Sequence, residues 1–224
     1  MMSKMKKENF KVVQIKAEET YEWFKKLHYA KRLPITQYAF GLYENLCLIG
    51  VISYGNPTGR SVLEAMTSKN YEHPILELNR LCLLENKKNY ASFLVGNSMK
   101  LLPKPNIIIS YADTSQNHSG YVYQATNFIY CGLSEKRTDW LLKGVNKHAR
   151  GIQSEFSLEE IKKNPDKFEF VERARKHRYI YYLGNKKQKN EFLKNLSYKI
   201  LPYPKSENKY YETNFVPTTQ MALI

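Results

Sequence analysis

Cysteine is scarce and scattered. Cys47, Cys82 and Cys131 each lie inside an apolar, strand-like run, a spacing that supplies neither a disulfide framework nor a zinc site and fits a reducing cytoplasm. Long apolar runs are missing too: none approaches the ~20 residues a membrane-spanning helix requires, and no charged-then-apolar leader opens the chain. No membrane role is expected. Internal repeats and a clear domain boundary are also absent. Acidic residues are the last shortage, 21 against 35 Lys and Arg, for a net charge of +14. The excess runs through the C-terminal half instead of forming one tail. That balance favours a polyanionic partner, most simply nucleic acid, with solubility or an anionic membrane surface as the other readings.

What the chain has in quantity is apolar and aromatic surface. At 224 residues and 42% hydrophobic content it can bury a substantial core. Residues 1–224 are expected to form a single domain, with a basic hairpin and a C-terminal helix and tail appended from about residue 134. Most of the 18 tyrosines belong in the core, although flat rings at a surface can stack on exposed bases.

Periodicity and turn signals order the elements. "FKVVQIK" alternates as a strand, and "AEETYEWFKKLHYAKRL" reads as a helix ending before Pro34. "QYAFGLYENLCLIGVISYG" is a hairpin around Glu44-Asn45, followed by a loop at Pro57 and Gly59. "HPILELNRLCLL" is a long strand with Glu77 and Asn79 on one face and Leu78, Arg80 and Cys82 on the other. A helix over "FLVGNSMKLL" stops at Pro103 and Pro105; then come strand "NIIISYAD", loop "TSQNHSG", helix "YVYQATN" and strand "FIYCGL". Beyond these, "DWLLKGVNKHARGI" suggests a hairpin turning near Gly144, and Ser157 with Glu160 forms a capping box. "KHRYIYYLG" is a late strand and "NKKQKNEFLKNL" a basic amphipathic helix. The expected fold is α/β, a mixed sheet with flanking helices.

This order resembles the GCN5-related N-acetyltransferase fold. In that superfamily the last helix commonly reads Leu-Tyr-x-x-x-Gly-Phe before a strand; here "VYQATNF" sets Tyr123 five residues ahead of Phe128, with Asn127 in place of the glycine. More closely, "HYA" at 28–30, "ELNRL" at 77–81, "SYADTSQNHSGYVYQATNFIYCG" from 110, "KHRYIYYLG" and "LPYPK" resemble the phage Mom family of DNA adenine-modification proteins. The resemblance covers most of the chain. It implies transfer of an acetyl-derived group from an acyl coenzyme A, most simply acetyl coenzyme A, to the N6 amine of adenine in phage DNA. The modification would mask restriction sites, in the cytoplasm of an infected host bacterium.

Such a transfer must deprotonate an amine, hold a thioester carbonyl and return a proton to a leaving thiolate. Tyr123, at a helix start, is placed to protonate the sulfur, or is simply a buried tyrosine with a satisfied hydroxyl. Asp113 ends the Ile-rich strand, where side chains face the cleft of an open α/β sheet, and can take the amine proton or bind the base; a turn-forming Asp is the bland alternative. Arg80 is a charge in an apolar strand, set against a phosphate or carbonyl oxygen or paired with a carboxylate such as Glu77. Catalysis is assigned to these three.

Substrate contacts are assigned to His28, Tyr29, Glu77, Asn79, Ser110 and His118, with Tyr29 able to stack on a flipped base. His28, Asp113 and His118 could supply two imidazoles and a carboxylate, but nothing in their spacing selects a metal. None is assigned; iron enters through the family resemblance alone. For the donor, the superfamily's phosphate loop reads Gln/Arg-x-x-Gly-x-Gly/Ala, and "NKKNYA" at 86–91 keeps only the final Ala91. The loop still opens a helix, so Lys87, Lys88, Asn89, Ala91 and Ser92 are assigned to the donor. Lys143, Lys147, His148 and Arg150 are assigned to DNA. A non-catalytic nucleic-acid-binding protein on a degraded acyltransferase sheet, and an acyltransferase acting on tRNA or protein amines, are the competing readings. Oligomeric state is not legible.

Overall fold

The computed structural model describes residues 6–57, 59–66, 74–145, 149, 152 and 155–205. Nine strands and five helices carry the fold among them: β1 (Phe10–Ile15), β2 (Tyr38–Glu44), β3 (Cys47–Gly55), α1 (Arg60–Met66), β4 (Ile75–Leu83), α2 (Tyr90–Leu101), β5 (Asn106–Asp113), α3 (Tyr121–Ala125), β6 (Ile129–Leu133), β7 (Arg137–Leu142), α4 (Leu158–Lys163), β8 (Phe168–Arg173), β9 (Lys176–Leu183) and α5 (Lys186–Asn195). The expected mixed sheet with flanking helices is present. Seven strands form it in the order β1-β2-β3-β4-β5-β9-β6, with β4 and β5 the parallel pair.

Local chemistry explains several of these elements. Asn45 and Leu46 both have positive φ, the geometry of a tight hairpin turn, and Tyr38 to Glu44 folds back on β3. Ser157 accepts from the Glu160 amide, and the Glu160 carboxylate reaches back to Ser157, so the capping box starts α4. Along β5 alternate isoleucines serve opposite faces. Ile108 packs with Leu78, Leu94, Val95 and Phe128 on the α2–α3 side. Ile107 and Ile109 pack with Met66, Ile180 and Phe192 on the α1–α5 side. A strand buried on both faces needs such a continuous apolar run, and truncating one isoleucine to Ala costs about 2–5 kcal/mol.

Two expectations are corrected, the helix from Ala17 and the hairpin near Gly144, while α1 and the place of β9 in the sheet are additions to the reading. The loop after Pro57 leads into a short helix, α1. The segment from Ala17 is a 3-10 turn and a wide π turn at Trp23–Leu27, ending at His28. β7 pairs with β8 instead of folding back near Gly144, and Ile152 and Ile161 from the intervening chain pack with Phe168 of β8 in a small core of their own. The late strand β9 is inserted between β5 and β6, at the heart of the sheet.

Candidate active site

Two parallel strands that part company make the site. β4 and β5 are in register from Ile75↔Ile107 to Leu78↔Ser110, yet β4 continues to Leu83 and β5 to Asp113. Asn79 marks the break. Ser53 pairs with Arg80 and Tyr54 with Leu78, leaving Asn79 as the extra residue of a bulge.

The bulge also changes which side chains share a face. Leu78 and Leu83 belong to the α2-side core, whereas Cys82 packs with Trp23 and Val51 on the other side. Arg80 therefore faces away from Leu78, correcting the simple alternation, and lies within electrostatic reach of Glu77.

A cleft of about 460 Å³ opens where the strands part. His28, Tyr29, Glu77, Asn79, Arg80, His118 and Tyr123 line it, with Ala91 from α2. Ser110 sits beneath, fully buried, donating to the Leu78 carbonyl at 2.9 Å across the last paired position.

Tyr123 is buried, and burial pushes its phenol up to about 12, the Ser110 hydrogen bond opposing that rise. Its ring lies 5.4 Å from Phe128 and 5.2 Å from Tyr179. The chain turns between them at Asn127, whose φ of +61° is the left-handed conformation that glycine or asparagine adopts at least cost.

Asp113 is a turn-former beside the cleft, next to the lining residue Ala112 but not itself part of the lining. Oδ1 accepts from the Ser115 amide at 3.0 Å and its hydroxyl at 2.7 Å, while Oδ2 lies 3.6 Å from Lys176 Nζ. Lys176, directly opposite in the β5–β9 register, lines the cleft. Sequence reading missed Lys176, Tyr111, Asn86 and Asn117; only the pairing of β9 with β5 reveals Lys176.

Arg80 is half-buried. Nη1 donates to the Asn79 carbonyl at 2.7 Å, but Nε is buried without a partner. Burial lowers its affinity for a proton, Tyr29 and Glu77 opposing. His28 stacks on Tyr29 with ring centroids 4.4 Å apart, and the His118 ring meets Tyr29 edge-on at 5.9 Å. His28 Nδ1 accepts from the Ala30 amide at 3.1 Å, so a neutral ring carries its proton on Nε2. Burial first, then Arg80, depresses this imidazole to about 3. Among the described residues no group of three His, Cys, Asp or Glu is placed to hold a metal.

The loop before α2 keeps more than its letters suggest. Asn89 stands where the superfamily pattern has glycine, and its φ is +73°. No side chain caps the helix; the Tyr90 amide donates to the Lys87 carbonyl at 3.1 Å, leaving the Ala91 and Ser92 amides as the ones an anion could meet. Lys88 is exposed, Lys87 is paired with Glu85, and the Ser92 hydroxyl donates to the Asn89 carbonyl at 3.2 Å. Asn89 and Ser92 line a second, larger cavity of about 660 Å³ between α2 and α3, bordered by Asn127, Lys100 and Lys104. Glu77, His28, His118 and Arg80 all line the smaller cleft. Of the DNA assignments, Lys143 is exposed in the turn after β7; Lys147, His148 and Arg150 lie outside the described residues.

The Mom protein family matches residues 9–205. Methylcarbamoylase mom of Escherichia phage Mu is 29% identical over 195 residues, covering 80% of this chain and 76% of that protein. Similar solved structures include NAA60 of Arabidopsis thaliana in complex with acetyl-CoA, 10% identical, covering 78% of this chain and 99% of that one at a TM-score of 0.45. Another is the ribosomal-protein-S5-alanine acetyltransferase of Vibrio fischeri, 12% identical, covering 78% and 93% at a TM-score of 0.43. With the family match running from β1, through both halves of the cleft, to the residues beyond α5, the chain belongs to the Mom protein family.

Proposed function

We propose that this protein transfers a carbonyl-bearing, acetyl-derived group from a coenzyme A thioester to the N6 amine of adenine in DNA, protecting phage DNA from restriction inside the host. The observation that carries the reading is the convergence of Tyr123, Arg80, Glu77, His28, Tyr29 and His118 on one cleft at the strand break. The named relative is a methylcarbamoylase, and that group carries one NH more than acetyl. Simple acetyl transfer does not make it.

The residues fit a phosphate-bearing thioester: uncapped amides at the start of α2, the left-handed Asn89, and the adjoining cavity with Lys100 and Lys104 on its wall. The thioester supplies an activated carbonyl and a thiolate leaving group. Arg80, whose side chain lines the cleft, holds the carbonyl oxygen with its guanidinium and stabilises charge developing there. Asp113 Oδ2 takes the proton that the adenine amine loses as its C–N bond forms. Tyr123 gives its proton to sulfur as the C–S bond breaks; a phenol held near 12 is protonated at neutral pH. His28 donates from Nε2 to the base, and Tyr29 offers the ring on which it stacks.

Nucleoside mass spectrometry on DNA from cells expressing the protein tests the reading. A modified deoxyadenosine is expected, and its mass distinguishes acetyl from methylcarbamoyl. Unmodified DNA alongside modified tRNA or protein would move the acceptor; no modification anywhere would favour a non-catalytic binding protein.

A further inference from the structure

The segment after Tyr29 is shaped unlike a passive connection. Both of its ends are fixed to cleft walls. At the start, Tyr29 lines the cleft and the Ala30 amide donates to His28. At the far end, the Asn79 side-chain amide donates to the Ile35 carbonyl at 3.1 Å, and the Gln37 amide donates to the Tyr54 carbonyl at 2.8 Å. The other end of the Asn79 amide accepts from Ser53 at 2.6 Å, so the bulge residue ties the segment to the sheet. Gly55 completes the seat: a Cβ there would lie 1.9 Å from the Ile35 carbonyl oxygen.

A segment held this firmly nevertheless turns apolar side chains to water. Ile35 is 71% exposed, the most exposed large hydrophobic among the described residues, and Leu33 is 38% exposed. Pro34 between them restricts the tip. Lys31 and Arg32 immediately precede it, and Arg32 is close enough to Tyr29 and Arg80 to act on both electrostatically. An apolar tip beside a pair of cations, at the mouth of a pocket for one base, matches the chemistry of a nucleic-acid duplex. The cations meet phosphates, and the tip meets the faces of stacked bases.

We propose that Leu33 and Ile35 form a wedge that enters the base stack of duplex DNA and fills the space left when the target adenine turns into the cleft, with Lys31 and Arg32 on the flanking phosphates. This rests on the adenine reading above and adds a device that it does not require. A wedge matters only where a stack must be opened. In single-stranded DNA the base is already free.

The test compares wild type with the Leu33→Ala, Ile35→Ala double variant on a duplex and on its adenine-bearing strand alone, measured by nucleoside mass spectrometry. Both side chains are exposed, so thermal midpoints should coincide. Losing the wedge should slow duplex modification at least about tenfold while single-strand modification stays within about twofold. A second readout is independent of transfer: 2-aminopurine at the target position of a duplex should brighten with wild type and not with the variant. Equal losses on both substrates, or no loss on either, would overturn the wedge and leave the adenine reading standing. Wild type inactive on both substrates, with no 2-aminopurine response, would overturn the adenine reading and the wedge with it.

Discussion

Asn89 and Asn127 hold the same left-handed backbone conformation, φ +73° and +61°, at the entry to α2 and the exit from α3, and both border the cavity between those helices. Glycine at either position should preserve the fold. A β-branched residue should not, because left-handed geometry costs a non-glycine side chain about 1–2 kcal/mol and Val more than Asn. Urea unfolding of Asn89→Gly, Asn89→Val and the matching Asn127 pair checks this. Asn89→Val should also raise KM for the thioester, since it disturbs the amides that open α2; an unchanged KM would remove this loop from the donor site.

Tyr123→Phe keeps the ring between Phe128 and Tyr179 and removes only the hydroxyl. The fold should survive, because the packed ring is kept. Transfer should fall ~10²- to 10⁴-fold, the usual worth of a general acid. Because burial holds the phenol near 12, the wild-type rate should show no loss attributable to Tyr123 between neutral pH and about 10. Single-turnover rates against pH for the two proteins separate these effects.

The sheet was legible in the sequence because its signals are local. Alternation in β1, the isoleucines of β5 and the prolines after α2 each act over a few residues, and the described strands and helix fall where they point. What was not legible depends on partners far along the chain. The bulge at Asn79 exists only in the pairing with β3, and it moves Arg80 to the face opposite Leu78. Lys176 reaches Asp113 only because β9 lies beside β5. The phosphate loop looked degraded for a different reason: a pattern of letters hides that Asn can adopt the conformation for which Gly was chosen.

His28 makes stability depend on acid in a definite direction. Its pKa is 6.5 in the unfolded chain and about 3 in the folded one, chiefly through burial. Between those values the unfolded chain binds a proton that the folded chain refuses, so this contribution falls as pH drops from about 6.5 towards 3 and is constant above. His28→Asn retains an acceptor for the Ala30 amide and does not titrate. Urea midpoints measured at several pH values should therefore fall more steeply for wild type than for the variant. Parallel curves would mean that His28 is not held neutral by its surroundings.

Arg80 shows what the site spends for its chemistry. A guanidinium carried into the cleft wall with Nε buried and unpartnered is unfavourable for folding, and burial weakens its hold on its proton. Methionine fills much of the same length without charge, so Arg80→Met should leave the thermal midpoint unchanged or raise it. Transfer should drop by at least about a hundredfold, because nothing remains to stabilise the carbonyl oxygen as charge develops on it. Lysine should rescue poorly: it restores the charge but cannot offer the planar fork, whose Nη1 holds the Asn79 carbonyl. If Arg80→Met lost stability and activity together, Arg80 would be a structural partner of the Asn79 bulge, and the carbonyl oxygen would have to be held by another donor.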